Sequence, residues 1–250
     1  MNLISAFIHR RFAHIRHRWL GELSLALLLP IGIYITLGFG LSSTAPDIED
    51  VPKLAWLIPG IVLMIAFSGG LFAIFHDIFQ NRGSGQFYGS VYVSPSTPSA
   101  TVMSLTLSVA PEGAVRSILA MVILQFVLGH LYPVGGQISM VFLILFAIFI
   151  GTSAGLTLGI VAKDAITSQL TVLLLLIGLG FGSAWFVPLD VFPESIQPLL
   201  SVLPTSVLGE LSRGFLIGTP HSMVLLIIPL GTLVVWTVIN IFLFTRISTE

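Results

Sequence analysis

Six stretches of this chain stay apolar for about the length that a helix needs to cross a bilayer. Nothing else in the sequence constrains its fold so strongly. A spanning helix takes about 20 residues, and such runs occur at 23–41, 54–75, 115–131, 138–161, 166–187 and 223–244. Only 8% of the 250 residues are charged and 55% are hydrophobic, with a mean hydropathy of +1.03. A soluble domain carries about a quarter charged residues, so too few remain here to coat a water-facing surface. In hydrocarbon the backbone must satisfy its own N–H and C=O groups, which makes the spans helices. Interior prolines and glycines do not oppose this, because neighbouring helices satisfy the groups they free. The expected fold is an all-α integral membrane protein with six transmembrane helices. The chain has no cysteine, which excludes disulfides, thiolate metal sites and thiol catalysis.

Lys and Arg in short loops set the orientation of such a protein. Six spans put both termini on one side, with the loops near 76–114 and 162–165. That side holds Arg10, Arg11, Arg16, Arg18, Arg82, Arg116, Lys163 and Arg246. The other side holds Lys53 and Arg213, beside Asp47, Glu49, Asp50, Asp190, Glu194 and Glu210. The bias predicts a multi-pass protein of the plasma (cell inner) membrane with both termini cytoplasmic.

Residues 1–20 precede the first span. Ile4, Ile8, Phe12, Ile15 and Trp19 form one stripe of a helix. His9, Arg16 and His17 lie on the far side, and Arg11 and Arg18 flank the stripe. The pattern predicts an amphipathic helix in the membrane interface, its basic groups toward anionic headgroups. A single transmembrane domain over 21–250 would follow. The competing reading is the n-region of a signal peptide with the first span as its apolar core, which leaves the aromatic stripe without a purpose.

No engine is visible in the chain. A GxxxxGK(S/T) phosphate loop is absent. Gly83-Ser-Gly-Gln-Phe-Tyr-Gly89 is glycine-rich but holds no lysine, and reads as a flexible turn. Gly151-Thr-Ser-Ala-Gly155 matches the GxSxG elbow of hydrolases, with Ser153 as nucleophile, but that elbow needs a strand-to-helix turn. Here it lies inside an apolar run, where Gly151, Gly155 and Gly159 repeat every four residues as a ridge for close helix packing. Gly178 and Gly182 read as a second packing groove. The six histidines form no i, i+4 pair within a span, which argues against a helical metal site. Span centres carry only modest polar groups such as Gln125 and Asn240, which argues against ion- or proton-driven carriers.

The stretch VPLDVFPESIQPLLSVLPT, at 187–205, breaks the apolar pattern with Pro188, Pro193, Pro198 and Pro204, and with the acids Asp190 and Glu194. Residues 188–220 are too apolar for a water-exposed loop and too broken for another crossing. A re-entrant helical segment between helices 5 and 6 satisfies both facts. In that reading 199–202 and 207–216 pack inside the bundle, while Asp190, Glu194, Glu210 and Arg213 face the outer mouth beneath a lid. The alternative is an outer loop lying flat on the membrane.

The run Val187-Pro-Leu-Asp-Val-Phe-Pro-Glu-Ser-Ile-Gln-Pro-Leu, followed by Leu203-Pro-Thr, resembles the signature of type-2 ATP-binding-cassette (ABC) exporter permeases. Arg82-Gly83-Ser84, with Ser94-Pro95 ten residues on, resembles the coupling-helix region of that family. The charged residues usual between those landmarks are replaced by Gln86, Phe87, Tyr88 and Tyr92. The resemblance implies the transmembrane permease subunit of an ABC exporter, moving a lipid-like, drug-like or glycan substrate out of the cytoplasm. It implies two copies of an ABC ATPase subunit and a second copy of this chain or a related permease, set among membrane lipids, with no nucleic acid. No cofactor is implied in this chain, and ATP and Mg would sit in the partner ATPase. Arg82, Gly83, Phe87, Tyr88, Tyr92, Ser94 and Pro95 would form the ATPase-coupling loop. The first and fifth spans would line a path between two permease copies. The alternatives are a stand-alone carrier or channel, and an intramembrane serine hydrolase using Ser153.

Overall fold

Helix-end chemistry divides the apolar sequence into its elements. The computed structural model describes residues 3–17, 19–41, 53–83, 97–162, 164–219 and 222–249, and no strand occurs among them. The helices are α1 (Leu3–His17), α2 (Trp19–Leu41), α3 (Leu57–Gly83), α4 (Pro98–Leu128), α5 (Val134–Val161), α6 (Ala165–Gly182), α7 (Gln197–Ser201), α8 (Pro204–Ile217) and α9 (Ile227–Thr249). Short 3-10 turns at Lys53–Trp56 and Met223–Leu226 lead into α3 and α9, and a third lies at Leu189–Val191.

Among the described residues, five helices are long and apolar enough to cross a membrane: Trp19–Gly40, Leu54–Phe79, Pro98–Leu128, Val134–Val161 and Met223–Arg246. The expected fifth span is shorter than its apolar run. Helix α6 ends at Gly182, and Ala184 then takes the left-handed conformation with φ 54°. That turn sends Trp185 and Phe186 back over α3 instead of onward to 187. The third span differs in the other direction. Residues 98–114, expected as loop, are the first half of the 31-residue α4. Thr97 caps it by accepting the Ala100 N–H at 3.3 Å, and Pro98 opens its first turn, where a missing N–H costs nothing.

Helices α3 and α5 are the core pair and run parallel. A Cβ on Gly151 would lie 2.1 Å from the Phe67 carbonyl oxygen, and one on Gly155 would lie 2.3 Å from that of Leu71. From the other side, a Cβ on Gly70 would lie 2.4 Å from the Ile148 carbonyl oxygen. Absence of side chains at these points lets the backbones touch, and dispersion contacts then accumulate along both helices. Gly159 continues the line against Ile78. Helix α4 packs on this pair, whereas α2 and α9 lie at the periphery.

The last span is held by a polar clamp. Asn240 is almost fully buried; its Nδ2 donates to the Ser153 carbonyl at 3.1 Å, and its Oδ1 accepts from the Thr157 hydroxyl at 2.7 Å. The Trp236 indole donates to the same hydroxyl at 2.9 Å. In an apolar surround, these bonds fix α9 on α5 in one register. Asn240→Leu should lower stability by roughly 1–3 kcal/mol, from lost interhelical bonds and the groups left unmet. Thermal unfolding in detergent measures it, and an unchanged midpoint would refute the clamp.

Candidate functional site

One end of the bundle gathers charge. Helix α1 lies against α4 and the end of α3, and Arg10 and Arg11 both donate through Nη2 to Asp77 Oδ2, at 3.0 and 2.7 Å. Arg11 also donates through Nε to Ser108 Oγ at 3.3 Å, and its Nη1 lies 3.5 Å from Glu112 Oε2. Arg116 Nη2 pairs with Glu112 Oε1 at 2.6 Å, one helical turn away. The sequence pattern aimed the basic groups of α1 at headgroups. Arg11 instead turns inward, with its side chain 11% exposed, because α3 and α4 each bring a carboxylate to it. The apolar stripe is divided accordingly: Ile4 and Ile8 are half-buried on the protein, and Phe12 and Trp19 stay exposed.

This pairing makes a testable charge register. Arg11→Glu places like charges together and should destabilise by roughly 1–3 kcal/mol, between the values for exposed and buried ion pairs. Asp77→Arg in the same chain should recover part of the loss. Thermal unfolding of both variants decides it; no recovery in the double variant rejects the register.

Arg82 and Gly83 close α3 beyond Asp77. Phe87, Tyr88, Tyr92, Ser94 and Pro95, the remaining residues of the expected coupling loop, lie outside the described residues.

The opposite end holds the proline-rich stretch, where each proline starts a helical piece. Pro188 precedes the 3-10 turn Leu189–Val191, and Pro193 accepts the Ile196 N–H at 3.0 Å in the next turn. Pro198 sits in the first turn of α7 and Pro204 begins α8. Proline fixes φ near the helical value and lacks only an N–H that a first turn leaves unused. Asp190 and Glu194 are exposed. Val207, Leu208 and Leu211 of α8 are buried, and α8 packs against α3, α5 and α9. The expectation that 199–202 also pack inside is corrected: Leu199 is 70% and Val202 58% exposed. Helix α7 is one turn long and has no second apolar face to bury.

Arg213, expected at the mouth, is buried as well. Its guanidinium carbon lies 3.5 Å from the centroid of the Trp56 ring. Nη2 donates to the Trp185 carbonyl at 2.7 Å, and Nε to that of Trp56 at 3.4 Å. The Trp185 indole donates to the Thr205 carbonyl at 2.8 Å, and the Ser183 and Thr205 hydroxyls are 2.7 Å apart. The fold-back at Ala184 is what delivers that carbonyl. A Cβ on Gly60 would lie 1.9 Å from the Trp185 oxygen, so only glycine admits it. Nearby, Tyr132 donates its hydroxyl to the Ala55 carbonyl at 2.8 Å. Sequence reasoning missed Trp56, Tyr132 and Trp185. The available signal was a cation, Arg213, one turn from Glu210 on the short apolar-faced stretch 204–217.

Between the two ends, α2 and α6 flank an open groove of about 550 Å³. Leu28, Gly32 and Thr36 line one wall, Phe181 the other, and Met64 and Phe186 lie beneath. A Cβ on Gly32, Gly178 or Gly182 would meet nothing within 4 Å, so Gly178 and Gly182 join no close packing among the described residues. Ser153 is 2% exposed inside α5. Gly155 faces Leu71, which places His76 more than a turn beyond the serine's level. His130 lies beside Tyr132, at the other end. Among the described residues, no group of three or more His, Cys, Asp or Glu converges as a metal site.

The family model described as ABC-2 type transporter matches residues 2–217, which include the charged end, the open α2–α6 face and α8. No curated protein matches the chain. A match over most of the sequence, on a bundle with several spanning helices, is decisive: the chain belongs to the ABC-2 type transporter family and is a multi-pass membrane permease component of an ABC transporter.

Proposed function

We propose that two copies of this chain, or one copy and a related permease, form an exporter with two ATPase subunits that hold ATP and Mg. The supporting observation is the face left open between α2 and α6. The core pair α3–α5 is closed over its length, while the first and fifth apolar helices present a groove with glycines at its margins. Apposed to the same face of a second copy, that groove becomes an apolar-walled conduit. Its lining suits lipid-like or drug-like molecules, and glycans are the other substrate class. The charged end is the cytoplasmic one, with both termini there in the inner membrane, and Arg82 to Pro95 receives the ATPase. Movement of that loop reaches the bundle along α3, whose end is ion-paired to α1. Neither a stand-alone carrier nor a Ser153 hydrolase draws support: the family is one of ABC permeases, and among the described residues no histidine shares the serine's level.

Cysteines at Thr36 and Gly178 should cross-link between copies in native membranes. Alanines at Phe87 and Tyr88 should cut co-purification of the ATPase by about tenfold, the loss of one or two aromatic anchors. Absence of inter-copy cross-links would reject the path, and full ATPase retention would reject the coupling loop.

A further inference from the structure

Two further clefts meet on the flank of α2. One, of about 380 Å³, opens between α1, α2 and α4; its walls include Trp19, Leu23 and Leu119, and its polar pole is Arg11, Glu112 and Arg116. The other, of about 370 Å³, lies between α2, α3 and α4 and includes Leu29, Ile65 and Phe72. Ala26 and Arg116 line both. Arg116 keeps 28% of its side-chain surface exposed although it pairs with Glu112, and its planar guanidinium carries five N–H donors in a fork that suits phosphate.

We infer that these clefts are a binding site for one diacyl phospholipid of the leaflet at the charged end, its phosphate on Arg116 and one acyl chain in each cleft. Three features lead to this occupant. The walls are apolar and open to the membrane, so hydrocarbon enters without penalty, whereas water would find almost no polar partner. The two clefts are nearly equal in volume, about 380 and 370 Å³, as two acyl chains of one lipid would require. The charge is at one pole only, where Arg11 is engaged by Asp77, Ser108 and Glu112, and Arg116, paired with Glu112 yet 28% exposed, would meet the phosphate. A single-chain amphiphile would leave one cleft empty. The second cleft adjoins the α2–α6 groove, sharing Leu25 and Leu29 of α2 with it, and the lipid site does not rest on the transport reading. Its lipid would brace α1 against α2, adding to the ion pairs and the apolar contacts that hold α1 to α3 and α4.

The test is native mass spectrometry of the full chain, released from detergent after reconstitution in vesicles of phosphatidylglycerol and phosphatidylethanolamine. The wild type should retain one diacyl phospholipid through delipidation. Arg116→Gln should cut that retention about tenfold, Arg116→Lys should recover part of it, and Ala26→Trp, which fills the junction of the clefts, should abolish it. Val238→Trp, on the exposed face of α9, serves as control and should retain lipid as the wild type does. Equal thermal unfolding of Ala26→Trp and wild type in detergent excludes misfolding as the cause. Loss of all lipid from the wild type at the rate of bulk lipid overturns the site. So does retention of a single-chain lipid or detergent alone, or unchanged retention in Ala26→Trp. Cross-linking of Leu23→Cys to a second copy would show the first cleft filled by protein, and would overturn it too.

Discussion

Gly151→Ala is expected to leave little folded protein in the membrane, a large effect for one methyl group. The added Cβ would lie 2.1 Å from the Phe67 carbonyl oxygen and 2.9 Å from its carbonyl carbon. Both are backbone atoms of the central helix, so relief requires α3 and α5 to move apart over several turns. Overpacking a core costs about 1–3 kcal/mol and occasionally more. A backbone clash in the most buried helix pair belongs at or above the upper limit. Gly155→Leu should fail in the same way, against Leu71. Gly178→Ala adds the same methyl where nothing lies within 4 Å and should unfold as the wild type does. Ser153→Ala removes one oxygen without adding bulk and should keep near-normal activity. Detergent-solubilised yield and thermal unfolding of the four variants are the measurements. Wild-type stability of Gly151→Ala would mean that the helices are not in this contact.

Arg213→Met is the second large effect. The change removes the group that ties α8 to the Trp56 and Trp185 carbonyls at 3.4 and 2.7 Å, together with the cation over the Trp56 ring. Replacing a whole buried polar pair by apolar groups can be neutral. Here only the cation leaves and the carbonyls stay, each costing about 1–3 kcal/mol when unmet. A loss of roughly 2–4 kcal/mol is expected from the two carbonyls, offset in part because a cation no longer has to be desolvated. Lysine should not rescue it, because a point charge cannot stack on indole and reach two divergent oxygens at once. The readout is local as well as global: a cysteine at Leu211, fully buried in the wild type, should become labelled when Arg213 is changed. A cysteine at exposed Asp190 should label equally in both. Wild-type stability and continued protection of position 211 would show that the latch holds nothing.

The legibility of the site followed the range of the forces involved. The prolines at 188, 193, 198 and 204 showed where the apolar pattern breaks, because proline acts on its own φ and on its neighbour. The glycines at 151, 155 and 159 marked one face of a helix by spacing alone. Spacing did not name the helix they would meet, nor show that Gly178 and Gly182 would meet none among the described residues. Nothing local to Asp77 announces its two arginine partners, which lie 66 and 67 residues away in sequence. Arg213 was assigned to water on its charge, because the pattern cannot show that a fold-back at Ala184 delivers a carbonyl to it.

Taken by itself, the sequence determined that this chain is a helical membrane protein, where most of its spans begin and end, and which family it resembles. Those properties depend on residues near one another and on the solvent they must enter. Hydropathy, helix period and proline geometry are all local. Only the tertiary structure decided which helices form the core, which face stays open, and where the few charges find partners. Those outcomes depend on complementary shape and charge between segments far apart in the chain. In a sequence this uniformly apolar, hydrophobicity cannot distinguish a face that meets lipid from one that meets protein. That choice rests with glycine contacts and a handful of polar groups, whose partners exist only once the helices have assembled.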